Sequence, residues 1–167
     1  KKDTTLYTVW IGANNYLNGP TNSEAITSSV VDAIASGVER LIGRGGNKFL
    51  LINLPDLGLS PYTQDAKNSE VVTDLVLLHN NKLEAKVKEL KELHPGLTFV
   101  YLDIYSFFKN AVEQGSDFGF INSNESCYLG GYLGWLMKPN DQQLLSYIKQ
   151  KVPNFDEKNW PMIADNP

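Results

Sequence analysis

Apolar and polar positions follow two alternating rhythms along this chain. Leu6-Tyr-Thr-Val-Trp-Ile11 is a β-branched and aromatic run that stops at Gly12-Ala-Asn-Asn15, a cluster of turn formers, so it predicts a strand followed by a loop. Ile26, Val30, Ile34, Val38, Leu41 and Ile42 then recur at helical spacing. Thr21 and Glu24 stand in capping-box positions ahead of them and Arg44-Gly-Gly46 follows, which predicts an amphipathic helix with both ends marked. Phe49-Leu-Leu-Ile-Asn-Leu54, closed by Pro55, reads as a second, largely buried strand. Helical spacing returns from about 64 to 93, with Leu75, His79, Leu83, Val87 and Leu90 on one face and lysines and glutamates opposite, until Pro95-Gly96 stops it. Leu97-Thr-Phe-Val-Tyr-Leu102 is the third strand, and 104–112 the helix after it. Strand and helix alternating in this way predict an α/β fold, a parallel sheet with helices covering both faces.

After Gly115 the rhythm is lost. Gly119, Gly130, Gly131 and Gly134 are interleaved with Phe118, Phe120, Tyr128, Tyr132 and Trp135, which suggests a long aromatic loop over 116–138. Within 139–167, residues 141–152 fit one more amphipathic helix, and Pro153, Pro161 and Pro167 an extended tail. No internal repeat or linker divides the chain, so 1–115 is read as the α/β core of a single domain to which the later segments are attached.

Composition narrows the function classes. At 167 residues, 42% apolar and 20% charged, the chain is long enough for a real core and unlike a disordered or collagen-like sequence. It contains no run of about 18 apolar residues that would cross a membrane. A net charge of -4 and a pI near 5.1 lack the basic footprint of a nucleic-acid binder. The opening Lys-Lys-Asp-Thr-Thr enters the first strand without the apolar stretch of a secretory signal. A single cysteine, Cys127, reads as a small buried hydrophobe in a cytosolic protein, or as one half of a pair in a secreted one.

Ligands of open parallel sheets bind outside the carboxyl ends of the strands, so Gly12-Ala-Asn14-Asn15-Tyr16, Asn53-Leu-Pro-Asp56 and Asp103 are the positions to weigh. The first cluster makes a turn by composition alone. Its functional reading is that Asn14 aims a side-chain N–H at a developing negative charge. Asp56 and Asp103 read as caps or turn residues, and His79, between Leu75 and Leu83, as a core histidine. His94 ends a helix. Gly43-Arg-Gly-Gly46 follows a helix and precedes a strand, the reverse of a phosphate loop. No metal-ligand pattern is present.

Tyr7-Thr-Val-Trp-Ile-Gly-Ala-Asn-Asn-Tyr-Leu17 resembles the third conserved block of the GDSL esterase/lipase family, the SGNH hydrolases, whose pattern is Gly-x-Asn-Asp after a strand. Ile52-Asn-Leu-Pro-Asp-Leu-Gly-Leu-Ser-Pro61, His79-Asn80 with Leu83, and Phe118-Gly-Phe-Ile-Asn with Cys127 are similar to later segments of that family, in family order. The resemblance implies a three-layer α/β/α fold of flavodoxin-like type and lipid acyl-ester hydrolysis by a serine, a histidine and an aspartate, as in lysophospholipases and phospholipases A, or acyl transfer. It assigns Asn14 to the oxyanion hole and Gly12 to keeping that loop tight. Tyr16 and Leu17 are then candidates either for lining an acyl or headgroup pocket or for packing within the loop. The resemblance further implies no metal or organic cofactor, a partner for Cys127 outside the chain, and a secreted or periplasmic location with transient contact at a membrane surface.

The chain also departs from the family. It has no Gly-Asp-Ser to supply the nucleophile, Gly115-Ser116-Asp117 having the wrong order and place, and no Asp-x-x-His to supply the base. Asn15 stands where the block usually carries aspartate. The expectation is therefore the central part of a hydrolase domain, incomplete at both ends, whose nucleophile and base lie on other segments of the same protein. The alternatives are a non-catalytic α/β binding module that kept the fold and an unrelated α/β protein whose asparagines only make a turn. The 130–135 segment reads as a loop packed by its aromatics, or as a flap over an apolar substrate.

Overall fold

Three parallel strands, β1 (Tyr7–Val9), β2 (Lys48–Ile52) and β3 (Thr98–Leu102), form a sheet in the order β1-β2-β3, with Tyr7 opposite Phe49 and Phe49 opposite Phe99. The computed structural model describes residues 4–17, 22–123 (without the side chain of residue 65) and 150, all but the last within the unit Lys1–Glu125. Cys127, the 130–135 segment and the helix expected over 141–152 lie outside the described residues apart from Gln150, which is helical.

The crossovers are α1 (Ser23–Gly43) between β1 and β2, and α3 (Ser69–Leu93) between β2 and β3. A short helix α2 (Pro61–Asp65) precedes α3, and α4 (Ile104–Glu113) follows β3. The helix expected from about 64 to 93 is thus broken in two at Ala66–Asn68, where Lys67 takes a positive φ of 55°. α1 starts one residue later than the capping box suggested: Asn22 caps it, its side chain accepting from the Ala25 N–H at 3.0 Å. At the other end Gly45, at φ 87°, lets the Gly46 N–H return to the Leu41 carbonyl, closing the helix as a loop.

Sheet packing is one-sided among the described residues. Val31, Ile34 and Val38 of α1 meet Leu83, Val87 and Leu90 of α3 over Phe49, Leu51 and Phe99, and the Phe49 ring stacks between Tyr7 at 5.5 Å and Phe99 at 5.2 Å. The strands accordingly alternate: Phe49 and Leu51 are buried, whereas Val100 and Leu102 on the opposite face are exposed and Leu50 and Ile52 half-buried. Successive strands are added in one direction across the sheet, and crossovers of one hand then deliver both helices to the same face. The α/β class and the parallel sheet stand, consistent with a three-layer α/β/α arrangement. β2, expected as a largely buried strand, buries Phe49 and Leu51 on one face and half-buries Leu50 and Ile52 on the other.

A second, smaller cluster, Tyr16, Leu54, Leu75 and Val76, sits under the loops at the carboxyl ends of the strands. It supports the candidate site.

Candidate functional site

β1 ends after Val9, and Trp10 and Ile11 leave the ladder, with the Trp10 indole N–H donating to the Asn53 carbonyl at 3.1 Å. The chain then turns at Gly12, whose φ of 117° favours a residue without a side chain. A β-carbon built on Gly12 would lie 3.1 Å from His79 Cε1 and 3.2 Å from Val30 Cγ1, so the backbone here runs tight against an imidazole. One 3-10 turn, Ala13–Asn15, follows, held by the Asn15 N–H on the Gly12 carbonyl (3.1 Å) and the Tyr16 N–H on the Ala13 carbonyl (3.0 Å).

Asn14 lies at the middle of this turn and is exposed, and its side-chain amide makes no hydrogen bond among the described residues. An amide so placed offers two N–H donors to an incoming oxygen. Asn15 is also exposed and borders an apolar groove of about 440 Å³ that runs between β1 and α1 and that Asn14 does not line.

Tyr16 is fully buried. Its hydroxyl and His79 Nδ1 share a 2.7 Å hydrogen bond, and the two rings meet edge-on with centroids 5.5 Å apart. Burial pushes the Tyr16 hydroxyl up from its ordinary pKa and pulls His79 down to about 4, which keeps that imidazole neutral at pH 7. His79 Nε2 is buried without a partner among the described residues. The core reading of His79 therefore holds, with one ring nitrogen engaged. Leu17 is half-buried, and its carbonyl accepts from Asn68 Nδ2 at 3.2 Å.

The other strand ends are knitted by side-chain amides. Asn53 Nδ2 donates to Asp103 at 2.8 Å, while its Oδ1 accepts from the Ile104 and Tyr105 N–H groups at 2.7 and 3.0 Å, which ties β2 to the first turn of α4. Asp103 caps α4, and the Ser106 hydroxyl at 2.6 Å, helped by Asn53, holds its carboxyl below the ordinary range. Asp56 accepts from the Gly58 N–H, the Thr73 hydroxyl and the Tyr105 hydroxyl, so both of its oxygens are occupied in shaping the loop. Burial and the negative charge of Asp56 push Tyr105 upward. Both aspartates behave as the cap and turn residues their positions predicted.

Asn80 was missed as a positioning residue. Its amide meets both the N–H and the C=O of Leu54 at 2.9 Å, taking the place of a neighbouring strand. The available signal was a buried-face position carrying an amide beside His79. His94 caps the far end of α3, with Nε2 2.9 Å from Glu39, at the amino end of β3 and away from Asn14. Among the described residues no three His, Cys, Asp or Glu side chains are grouped to hold a metal, and no helix is long and apolar enough to cross a membrane.

Residues 1–132 match the family model of GDSL-like lipases and acylhydrolases. The phosphatidylcholine-sterol acyltransferase of Aeromonas hydrophila is 30% identical over 166 residues, 99% of this chain and 48% of the relative. The secreted effector protein SseJ of Salmonella typhimurium is 30% identical over 120 residues, 72% of this chain and 29% of the relative. Inactive GDSL esterase/lipase-like protein 25 of Arabidopsis thaliana is 25% identical over 139 residues, 75% of this chain and 33% of the relative. The chain thus spans less than half the length of each.

Proposed function

The chain belongs to the GDSL-like lipase/acylhydrolase family, and from that premise we propose that its protein cleaves or transfers the acyl group of a lipid ester, with Asn14 holding the oxyanion. The observation that carries this reading is the exposed, unengaged amide of Asn14 at the carboxyl end of β1, on a turn whose neighbours are packed. When a nucleophile adds to an ester carbonyl, its oxygen gains negative charge, and a fixed N–H donor stabilises that charge more than the neutral carbonyl that preceded it. In this reading Gly12 keeps the turn tight, Leu17 borders the acyl or headgroup pocket, and the serine and the Asp-x-x-His come from other segments of the same domain. Cys127 pairs with a cysteine outside the chain. The name of the Aeromonas relative supports a phospholipid as acyl donor, so the reaction is of the lysophospholipase, phospholipase A or acyltransferase type, with brief contact at a lipid surface. The secreted relative supports a secreted or periplasmic location.

Asn14→Ala in the full-length protein, assayed on a soluble p-nitrophenyl ester, is expected to lower turnover about a hundred- to a thousandfold while the folded state is kept. Unchanged turnover would remove Asn14 from the reaction. A second reading, a binding module without catalysis, is favoured by the relative named inactive. A full-length protein that binds lipid vesicles yet releases no fatty acid from them would establish it.

A further inference from the structure

We infer that Tyr16 and His79 form a brace that sets the aim of Asn14, acting as positioning residues that never touch substrate. The inference rests on the oxyanion reading of Asn14 and concerns what holds that donor still. Asn14 itself is exposed and its side chain is held by nothing among the described residues, so its direction is inherited from the turn that carries it. A single residue separates Asn14 from each cap of that turn, Gly12 and Tyr16, and both caps are fixed on the same imidazole. At the front, Gly12 runs so close to the ring that a β-carbon would lie 3.1 Å from Cε1. At the back, the buried Tyr16 hydroxyl shares a 2.7 Å hydrogen bond with Nδ1. His79 belongs to α3 and is wholly buried on the face formed by Leu75, Val76 and Leu83, so the ring is anchored in a rigid element.

An oxyanion donor contributes through preorganisation, and a displacement of about 1 Å is enough to lower a rate up to a hundredfold. Removing the Tyr16 hydroxyl leaves the buried ring and the fold in place but releases the back of the turn. The pairing uses one nitrogen only, because Nε2 has no partner among the described residues. An asparagine at 79 can present a polar atom near the Nδ1 position, which makes His79→Asn a conservative replacement and His79→Leu a disruptive one.

The test is steady-state kinetics of the full-length protein on a soluble p-nitrophenyl ester. Tyr16→Phe and His79→Leu are expected to lower kcat roughly ten- to a hundredfold with KM unchanged, and His79→Asn to restore most of it. In an Asn14→Ala background, Tyr16→Phe is expected to add no further loss, because its effect runs through Asn14. A Tyr16→Phe enzyme with full kcat and only a lower unfolding midpoint would overturn the brace, as would a full additional loss in the Asn14→Ala background. If Tyr16→Phe does not fold, the His79→Asn and His79→Leu pair decides: equal kcat in the two sinks the inference. Failure of the oxyanion reading has a separate signature, since there Asn14→Ala alone leaves turnover intact.

Discussion

His79 carries a pH dependence that can be read from its burial. In the unfolded chain it takes up a proton near its ordinary pKa of 6.5, whereas the folded protein resists until about 4. Between those values the unfolded state binds more protons, so stability falls as the pH falls through this window, by about 3 kcal/mol at its lower end. Above pH 6.5 the residue contributes no slope. Urea midpoints taken from pH 7 to pH 4 should therefore decline less in His79→Asn than in the parent, and parallel declines would show that the imidazole accepts a proton in place. The core position of His79 was legible from its spacing between Leu75 and Leu83. Its bond to Tyr16 was not, because a contact across 63 positions depends on how α3 lies over the first loop, which no local pattern records.

Between elements, the strand-helix alternation was legible because each strand and helix carries its own period and its own stop. Detail inside α1 was less so: in its first turns Thr27 and Val31 are buried, while Ile26 and Val30, on the predicted stripe, are half-buried. Thr27 tolerates burial because its hydroxyl donates to the Ser23 carbonyl at 2.7 Å. The Asn80 link to Leu54 was also hidden, since an amide at a core-facing position looks like an exception to the pattern until its partner is known. Asn80→Ala leaves both polar groups of Leu54 buried and unpaired, and each such group costs about 1–3 kcal/mol. Thermal or urea unfolding should show a loss of about 2–5 kcal/mol, against less than 1 kcal/mol for Asn81→Ala on the exposed side of α3. Equal losses would mean that the paired amide contributes little.

Across the whole molecule, the one-sided sheet has a measurable counterpart. Among the described residues Val100 and Leu102 are 49% and 44% exposed on the face away from α1 and α3, beside Leu50 and Ile52, and together they make an apolar strip there. The 167-residue chain should bind a hydrophobic dye such as ANS, and Val100→Lys with Leu102→Lys should reduce that fluorescence severalfold. A chain whose dye binding is indifferent to both changes would place the apolar surface elsewhere. This openness was not legible in the sequence, because β-branched and aromatic runs look alike whether one face of a strand is covered or two.

The adjacent pair His79-Asn80 has a mechanical consequence. Neighbouring residues on a helix point about 100° apart, and here one side chain grips the loop after β1 while the next grips the loop after β2. α3 therefore works as a crank with two pins. Any rotation of the helix about its axis drives both loops together, and a one-residue insertion ahead of His79 would withdraw both pins in a single step.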